Sequence, residues 1–314
     1  MISSHPLMEL RNLHRYFGKT KAVNDVSFQV QRGQSFGYIG PNGAGKTTSM
    51  RILATLELPT FGDAYVDGFS VVDDPDRVRK RLGFMPDYFG TYSNVNVREY
   101  LDFFARAYGL VGKERLQALK HVMSFTKLDD LAEKPINGLS KGMKQRLCLG
   151  RSMIHNPSVL ILDEPAAGLD PRARIQLREM IGQLAADGKG LLISSHILTE
   201  LAEMCDRVAI IERGQLLAVG TVAEIQQNRT RRSEVKVEVL ERAEELVAWL
   251  VARGDVHQPK FVGNEIRFVH DGDRKSEAEF LKAMVGYGFP IVSFGCEPIS
   301  LEDVFMQVTE GLVQ

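Results

Sequence analysis

The most informative stretch of this chain reads Gly40-Pro41-Asn42-Gly43-Ala44-Gly45-Lys46-Thr47. It matches the pattern G-x-x-x-x-G-K-[ST], in which the backbone N–H groups of a glycine-rich loop converge on phosphate oxygens. Residues 35–39 predict a short apolar strand before it, and Lys46 to Leu56 predict a helix that stops before Pro59. A glycine-rich turn without a ligand is the alternative. Because strand, loop and helix follow in the order that the motif requires, we expect parallel βα units with a phosphate site.

A second part of the same site is predicted where the apolar strand 159–162 ends in Asp163 and Glu164. One carboxylate after a strand is more often a helix cap or a turn residue. Beside a phosphate loop, however, Asp163 is suited to hold Mg²⁺ together with the Thr47 hydroxyl. Glu164 is then placed to take a proton from water that attacks the terminal phosphate. We therefore predict different roles for the two carboxylates.

The composition limits the classes of protein to be considered. The chain has 314 residues, of which 44% are hydrophobic and 25% charged, and its formal net charge is −1. These are the proportions of an ordinary globular protein, and the length indicates two domains. The near-neutral charge disfavours a primary role on DNA or RNA. Since the apolar stretches stop far short of the ~18 residues that a membrane span requires, we expect a cytosolic chain whose membrane role is peripheral.

We place a domain boundary at the run Arg229-Thr230-Arg231-Arg232, because such a polar, charged run is typical of a solvated linker. The first domain, 1–228, is expected to contain a helical subdomain at about 90–155, where apolar residues recur at helical spacing. The second domain, 229–314, predicts the order β-α-β-β-α-β of a small ferredoxin-like fold. Its expected elements are a strand at 234–239, a helix at 243–251, a hairpin around Gly263-Asn264, a helix at 277–285, a strand at 291–294 and a helix start at 300–303.

Residues 139–146, which read Leu-Ser-Lys-Gly-Met-Lys-Gln-Arg, resemble the signature motif of ATP-binding-cassette (ABC) ATPases. The loop 167–170, Ala-Gly-Leu-Asp, is a further match, and Ser140 lies 23 residues before Asp163, a spacing similar to that of the family. The resemblance covers about residues 7–225. It implies an α/β fold, a P-loop NTPase core of the ABC ATPase type with a helical subdomain.

The resemblance also implies ATP and Mg²⁺ as cofactors and assigns roles to single residues. In the family two such domains face each other head to tail, so Ser140 and Gly142 of one subunit would contact the γ-phosphate held by Lys46 of the other. His196, 33 residues after Asp163, would hydrogen-bond that phosphate and the attacking water. The catalytic set is thus Glu164, His196 and Lys46, and the metal set is Thr47, Asp163 and Asp87. The implied nucleotide contacts are Phe17, Gly40, Pro41, Asn42, Gly43, Ala44, Gly45, Lys46, Thr47, Thr48, Asp87, Ser140 and Gly142.

Two of these assignments have a structural alternative. An aromatic residue 29 positions before the phosphate-loop lysine usually stacks on adenine in the family, which points to Phe17; the alternative is core packing. Asp87 stands where the family typically has a glutamine that contacts Mg²⁺ and water and senses the membrane subunits. Its carboxylate is shorter and anionic but remains a hard oxygen donor for Mg²⁺. The alternative is a solvated loop carboxylate after Pro86.

The chain resembles most the exporter-type (ABC-2-like) ATPases, which pair with separate membrane subunits and carry a C-terminal accessory domain. Residues 297–305 look like the tail motif of that group. We therefore expect an ATPase at the cytoplasmic face of the membrane that powers transport, in the export direction, through transmembrane permease subunits. It would act as a head-to-tail dimer with itself or a related subunit, without nucleic acid. The rival hypothesis is a soluble, non-transport ABC ATPase acting on DNA or ribosomes, but such proteins usually carry two cassettes, long coiled coils or basic arms.

Overall fold

The structure, a computed structural model, describes residues 5–88, 90, 94–227, 232–262 and 265–298. The chain packs into two compact units that divide between Val222 and Ala223. The boundary expected at 228/229 stays a prediction, since residues 228–231 lie outside the described part. Within the described ranges, no helix combines the length and the apolar character needed to cross a membrane.

The first unit alternates strands with helices. Its strands are β1 (Met8–Phe17), β2 (Thr20–Val30), β3 (Ser35–Ile39), β4 (Phe61–Val66), β5 (Phe69–Ser70), β6 (Leu82–Met85), β7 (Val159–Leu162), β8 (Gly190–Ser195), β9 (Arg207–Glu212) and β10 (Gln215–Gly220). Its helices are α1 (Lys46–Leu53), α2 (Pro75–Arg79), α3 (Val97–Ala107), α4 (Gly112–Phe125), α5 (Lys141–Met153), α6 (Pro171–Ala186) and α7 (Leu198–Met204). A short helix α8 (Val222–Gln227) begins where the two units divide.

The central sheet has the strand order β10-β9-β3-β8-β7-β6. All neighbouring strands from β9 to β6 run parallel, and only the β9–β10 pair is antiparallel. Every residue of β3, β7 and β8 is buried, which explains why these strands read as apolar runs without alternation. Because parallel strands end at the same edge, the residues that follow β3, β8, β7 and β6 lie next to one another.

A second sheet, with the order β2-β1-β4-β5, is antiparallel throughout, and the sequence did not predict it. The pairing of β1 with β2 shifts register between Leu10 and Leu13 and again before Arg15 and Tyr16. Such irregularities break the alternation of apolar and polar residues by which a half-buried strand is recognised. The helix expected over 46–56 is also shorter than predicted. It ends at Leu53, because Thr55 takes a left-handed conformation (φ 58°) before Pro59 is reached.

The helical insertion expected near 90–155 consists of α3, α4 and α5, and it interrupts the sheet between β6 and β7. Helix α3 begins with a capping box: Asn96 accepts a hydrogen bond from the Glu99 backbone, and the Glu99 carboxylate accepts one from the Asn96 N–H. Its buried side is formed by Val97, Leu101 and Ala105, at the spacing of one helix face.

The second unit contains β11 (Arg232–Val239), α9 (Ala243–Val251), β12 (Val256–Val262), β13 (Glu265–Asp271), α10 (Arg274–Gly286) and β14 (Ile291–Pro298). The order β-α-β-β-α-β is the one that the sequence predicts, and the antiparallel sheet has the order β12-β13-β11-β14. Its core joins one face of the sheet to both helices through Val235, Val237, Ile266, Phe268, Leu246, Leu250, Phe280 and Met284. The expected turn at 263–264 and helix start at 300–303 lie outside the described residues.

Candidate active site

The carboxyl edge of the central sheet brings together residues that are far apart in the sequence. The phosphate loop follows β3, His196 follows β8, Asp163 and Glu164 follow β7, and Asp87 lies two residues after β6. These strands are consecutive neighbours in the order β3-β8-β7-β6. The fold therefore gathers the predicted catalytic and metal-binding groups along one line.

The phosphate loop is pressed closely against neighbouring backbone. Gly45 has φ 106°, and a β-carbon there would overlap with the carbonyl oxygen of Ala22. The turn between β9 and β10 also contacts the loop. The Gly214 N–H donates to the Ala44 carbonyl at 2.9 Å, and the Gly214 carbonyl accepts from the Asn24 N–H at 2.8 Å. Only glycine combines this conformation with this close approach. The loop is thus preformed by tertiary contacts.

Lys46 is buried at the start of α1, with its ammonium group turned back into the loop. Its Nζ donates to the Gly40 carbonyl at 2.6 Å and to the Pro41 carbonyl at 3.3 Å. It also lies 3.5 Å from Glu164 Oε1. The positive charge is therefore concentrated where a phosphate group at the helix N-terminus would bind.

Glu164 lies between two of the other predicted catalytic residues. Its Oε1 is 3.5 Å from Lys46 Nζ, and its Oε2 accepts a hydrogen bond from His196 Nδ1 at 2.9 Å. The backbone of Glu164 is left-handed, at φ 49°, which is uncommon for a residue with a side chain and is typical of functional sites. This conformation is supported by a 2.8 Å hydrogen bond from its N–H to Ser194 Oγ.

Asp163 is almost completely buried, at 1% exposure. Burial raises the pKa of its carboxyl group above the ordinary value, and the nearby carboxylates of Glu164 and Asp87 raise it further. Hydrogen bonds from Ser194 and Thr47 act in the opposite direction but do not cancel these effects. The site therefore has an excess of negative charge that a cation would neutralise.

The donor atoms at this position fit Mg²⁺. The Thr47 hydroxyl and the Asp163 carboxylate are in hydrogen-bond contact, and Asp87 is near enough to act on Asp163 electrostatically. Hydroxyl and carboxylate oxygens are the hard ligands that Mg²⁺ takes alongside phosphate and water. The described residues contain no cluster of three or more His, Cys, Asp or Glu side chains suited to a metal.

Phe17 is the last residue of β1, and its side chain is 47% exposed. The neighbouring Tyr16 is directed inward instead, because its hydroxyl donates to Asn24 Oδ1 at 3.0 Å and also bonds with His14 Nδ1. The Arg15 guanidinium lies 4.4 Å from the centre of the Phe17 ring. Of the two adjacent aromatic residues, Phe17 is the more exposed.

The signature residues are at the start of α5. The Ser140 hydroxyl caps that helix by accepting from Met143 N–H at 3.3 Å, and Ser140 is exposed. No hydrogen bond or ion pair between described residues joins Ser140 or Gly142 to the phosphate loop of the same chain. A β-carbon at Gly168 would lie only 2.5 Å from Lys141 Nζ, so Lys141 packs on the loop after Glu164.

The structure adds residues that the sequence did not identify. Ser194 links Asp163 to Glu164, and Gly214 supports the phosphate loop. Ser194 directly precedes the Ser195-His196 pair and could have been noticed for that position. Gly214 has no sequence signal beyond being a turn glycine, because its importance comes from a chain segment about 170 residues away.

Comparison with known proteins agrees with this geometry. Residues 23–167 match the family model described as ABC transporter. The chain is 31% identical over 310 residues to the Nod factor export ATP-binding protein I of Ralstonia nicotianae, covering 98% of this chain and 95% of that protein. It is 32% identical over 219 residues to the linearmycin resistance ATP-binding protein LnrL of Bacillus subtilis, covering 70% of each.

Among solved structures, one described as the ATP-binding subunit of an ABC transporter superposes with a TM-score of 0.64 at 32% identity, covering 71% of this chain and 92% of that one. The expected P-loop ABC ATPase fold is therefore confirmed. Because a relative above 30% identity is matched over nearly its whole length, the chain belongs to the ABC transporter family as an ATP-binding, ATP-hydrolysing subunit.

Proposed function

We propose that Glu164 is the general base of ATP hydrolysis at this site and that Lys46 and His196 hold the γ-phosphate. The observation that carries the proposal is the position of the Glu164 carboxylate, 3.5 Å from Lys46 Nζ and 2.9 Å from His196 Nδ1. A carboxylate in this position is beside the phosphate site and can reach a water molecule bound there. With Nδ1–H donated to Glu164, the other nitrogen of His196 can bond to phosphate or water.

The reaction is an in-line displacement. The oxygen of water forms a bond to the γ-phosphorus while the bond from that phosphorus to the bridging oxygen of ADP breaks, and Glu164 accepts the proton that the water loses. Lys46 and the backbone N–H groups of the phosphate loop stabilise the charge on the phosphate oxygens. Thr47 and Asp163, with Asp87, would hold Mg²⁺, which when bound neutralises charge on the β- and γ-phosphates.

The exposed ring of Phe17 supports the stacking of adenine at the end of β1. Its exposure of 47% argues against the alternative of core packing. Stacking contacts the face of a base and not its hydrogen-bonding edges, so this contact contributes to the affinity for the nucleotide more than to discrimination between bases.

The exposed position of Ser140 and the half-buried position of Gly142, both at the start of α5, support a head-to-tail dimer in which they complete the site of the partner subunit. The Ser140 hydroxyl and the N-terminus of α5 offer hydrogen-bond donors and a partial positive charge for phosphate. No hydrogen bond or ion pair among the described residues joins these groups to the phosphate loop of their own chain. The phosphate that they would contact is therefore that of ATP held by a second ATPase subunit, as the family arrangement implies. This subunit is a second copy or a related chain.

A mostly apolar groove in the first unit supports docking of a transmembrane permease subunit. It has a volume of about 270 Å³ and is lined by Ala54, Leu56, Arg79, Leu82, Phe84, Phe104, Tyr108, Arg151 and Ser152. The groove includes β6 residues, and β6 leads directly to Asp87. Apolar walls with two guanidinium groups suit a partner segment that presents apolar and acidic side chains. Asp87 would couple the binding of this partner segment to the metal site.

The names of the relatives favour export over a soluble role on DNA or ribosomes, because they are ATP-binding proteins of Nod factor export and of linearmycin resistance. We infer that this chain powers export at the cytoplasmic face of a membrane, through separate subunits that select the substrate.

The experiment compares Lys46→Ala with Glu164→Gln. The first should weaken ATP binding and abolish hydrolysis, whereas the second should bind ATP normally and stop hydrolysis, because it removes the base and keeps the shape. Lys80→Ala and Glu203→Gln, both at exposed positions, are the controls. Equal loss of ATP affinity in both site variants would contradict this division of roles.

A further inference from the structure

A buried carboxylate lies in α7, the helix that follows β8 and His196, and has no part in the mechanism above. Glu200 is in α7, four residues after His196, and its side chain is only 5% exposed. A buried charge is tolerated only when it is paired and hydrogen-bonded, so the partners of Glu200 show what it holds in place.

On one side Glu200 holds the backbone around His196. Its Oε2 accepts a hydrogen bond from Ser195 Oγ at 3.1 Å. The same Ser195 oxygen accepts the N–H of Ile197 at 3.0 Å. The residues before and after His196 are therefore both tied to Glu200 through one hydroxyl group, although the His196 side chain is itself 46% exposed.

On the other side Glu200 is tied to the loop that follows Glu164. Its Oε1 lies 3.5 Å from Arg174 Nε in α6. Arg174 also donates through Nη2 to the Leu169 carbonyl at 3.2 Å. Arg174 therefore connects the segment after the proposed base to the segment that carries the proposed phosphate-binding histidine.

We propose that Glu200 and Arg174 are positioning residues that keep the His196 imidazole in hydrogen-bond contact with Glu164. The proposal rests on the function proposed for His196. A mispositioned ring would no longer meet the Glu164 carboxylate, and hydrolysis would slow while ATP binding, which depends on the phosphate loop and Phe17, would remain.

The simpler explanation is that the pair only fastens α6 to α7, and the chain contains a matched control for it. Arg178 and Glu203 join the same two helices at 2.8 Å, but Glu203 is 66% exposed, and among the described residues no hydrogen bond or ion pair joins it to residues 194–197. If fastening the helices were sufficient, neutralising either pair would have the same effect.

The experiment compares Glu200→Gln and Arg174→Gln with Glu203→Gln and Arg178→Gln. We expect turnover to fall roughly 10- to 100-fold in the first two with unchanged affinity for ATP, and to stay at the wild-type value in the controls. Ser195→Ala, which removes the hydroxyl link and leaves the Glu200–Arg174 pair intact, should reproduce the effect. It also keeps the test valid if a Glu200 variant does not fold, as judged by thermal melting.

Two further readouts separate positioning from loss of stability. With ¹³C-labelled histidine, the His196 resonance, identified by its absence in His196→Ala, should shift in Glu200→Gln and stay in place in Glu203→Gln. In single-turnover measurements Glu200→Gln should add nothing to His196→Ala, because both remove the same contact. The proposal is overturned if the rate losses of Glu200→Gln and His196→Ala multiply fully in the double variant, or if the His196 resonance does not shift in Glu200→Gln. Wild-type turnover in His196→Ala would instead disprove the role of His196 on which it rests.

Discussion

The hydroxyl of Ser194 donates to Asp163 Oδ1 at 2.6 Å, and Ser194 Oγ itself accepts a hydrogen bond from the N–H of Glu164 at 2.8 Å. One side chain from β8 thus orients two adjacent carboxylates at the end of β7. The Ser194 hydroxyl donates to the side chain of Asp163 and accepts from the backbone of Glu164. The adjacent pair can therefore point in different directions, as separate metal-binding and proton-accepting roles require.

Asp163→Asn should stabilise the nucleotide-free protein at neutral pH while abolishing Mg²⁺-dependent hydrolysis. Burial raises the pKa of Asp163 in the folded protein. The contribution of this carboxyl group to the free energy of unfolding is therefore fully present below its unfolded pKa and is lost as pH rises through its folded pKa. Asparagine keeps an acceptor for Ser194 without the charge. Thermal melting should show a higher Tm at pH 8, at a scale of roughly 2–4 °C per kcal/mol, and the gain should shrink toward pH 4. The control is Asp130→Asn. A gain that grows as pH falls would contradict the assignment.

His155 should make the first unit sensitive to acid. Burial lowers the pKa of its imidazole to about 4, while Nε2 donates to the Leu82 carbonyl at 3.2 Å and the ring stacks on Tyr108 at 3.7 Å. Its folded pKa is below the ordinary value of about 6.5, so stability is present above that value and is lost as pH falls toward 4. The loss is at most about 3 kcal/mol. Urea unfolding of His155→Gln at pH 7 and 4.5 should show a smaller decrease than wild type, whereas His121→Gln, at an exposed position, should match wild type.

Mixing variants should reveal whether the two sites of the proposed dimer are shared. Lys46→Ala and Ser140→Arg should each be inactive alone. A mixed dimer would contain one site with an intact Lys46 and an intact Ser140 opposite it, so hydrolysis should recover in part. Absence of recovery would mean that the sites are not shared or that one site cannot act alone. Disulfide crosslinking of cysteines placed at Ser140 and Gly43 then distinguishes these cases, because only shared sites bring the two positions together across subunits.

Asp87 should couple the metal site to the membrane partner. Asp87→Gln removes one of the carboxylates that act on Asp163, so basal hydrolysis should be unchanged or faster. Asp87→Ala should lower transport more than ATP turnover in the reconstituted complex, because the oxygen ligand and the contact are both lost. Asp73→Asn, at an exposed loop position, serves as the control. If both Asp87 variants retain wild-type transport and hydrolysis, the residue is a solvated loop carboxylate.

Several features could be predicted from the sequence because they depend on neighbouring residues. The glycines of 40–45 determine a backbone that can approach phosphate, and the apolar run 159–162 followed by two carboxylates determines a buried strand with acids at its end. The alternation in 234–239 likewise indicated the first strand of the second unit, since one face of that strand packs on helices. The sheet β2-β1-β4-β5 was missed because its bulges disturb this periodicity.

Which polar residues contact the proposed site depends on packing between distant segments of the chain. In the sequence, Glu200 and Glu203 are two acidic residues of one short helix, each with an arginine available in the helix before it. Folding buries Glu200 against Ser195 and leaves Glu203 at the surface. The burial of a side chain, and so the strength of its electrostatic contacts, depends on segments that meet only when the chain is folded. The residues of the phosphate loop and of the strand end 159–164 therefore predict the chemistry proposed for the phosphate site, whereas the packing of α6, α7 and β8 places Glu200 between Ser195 and Arg174.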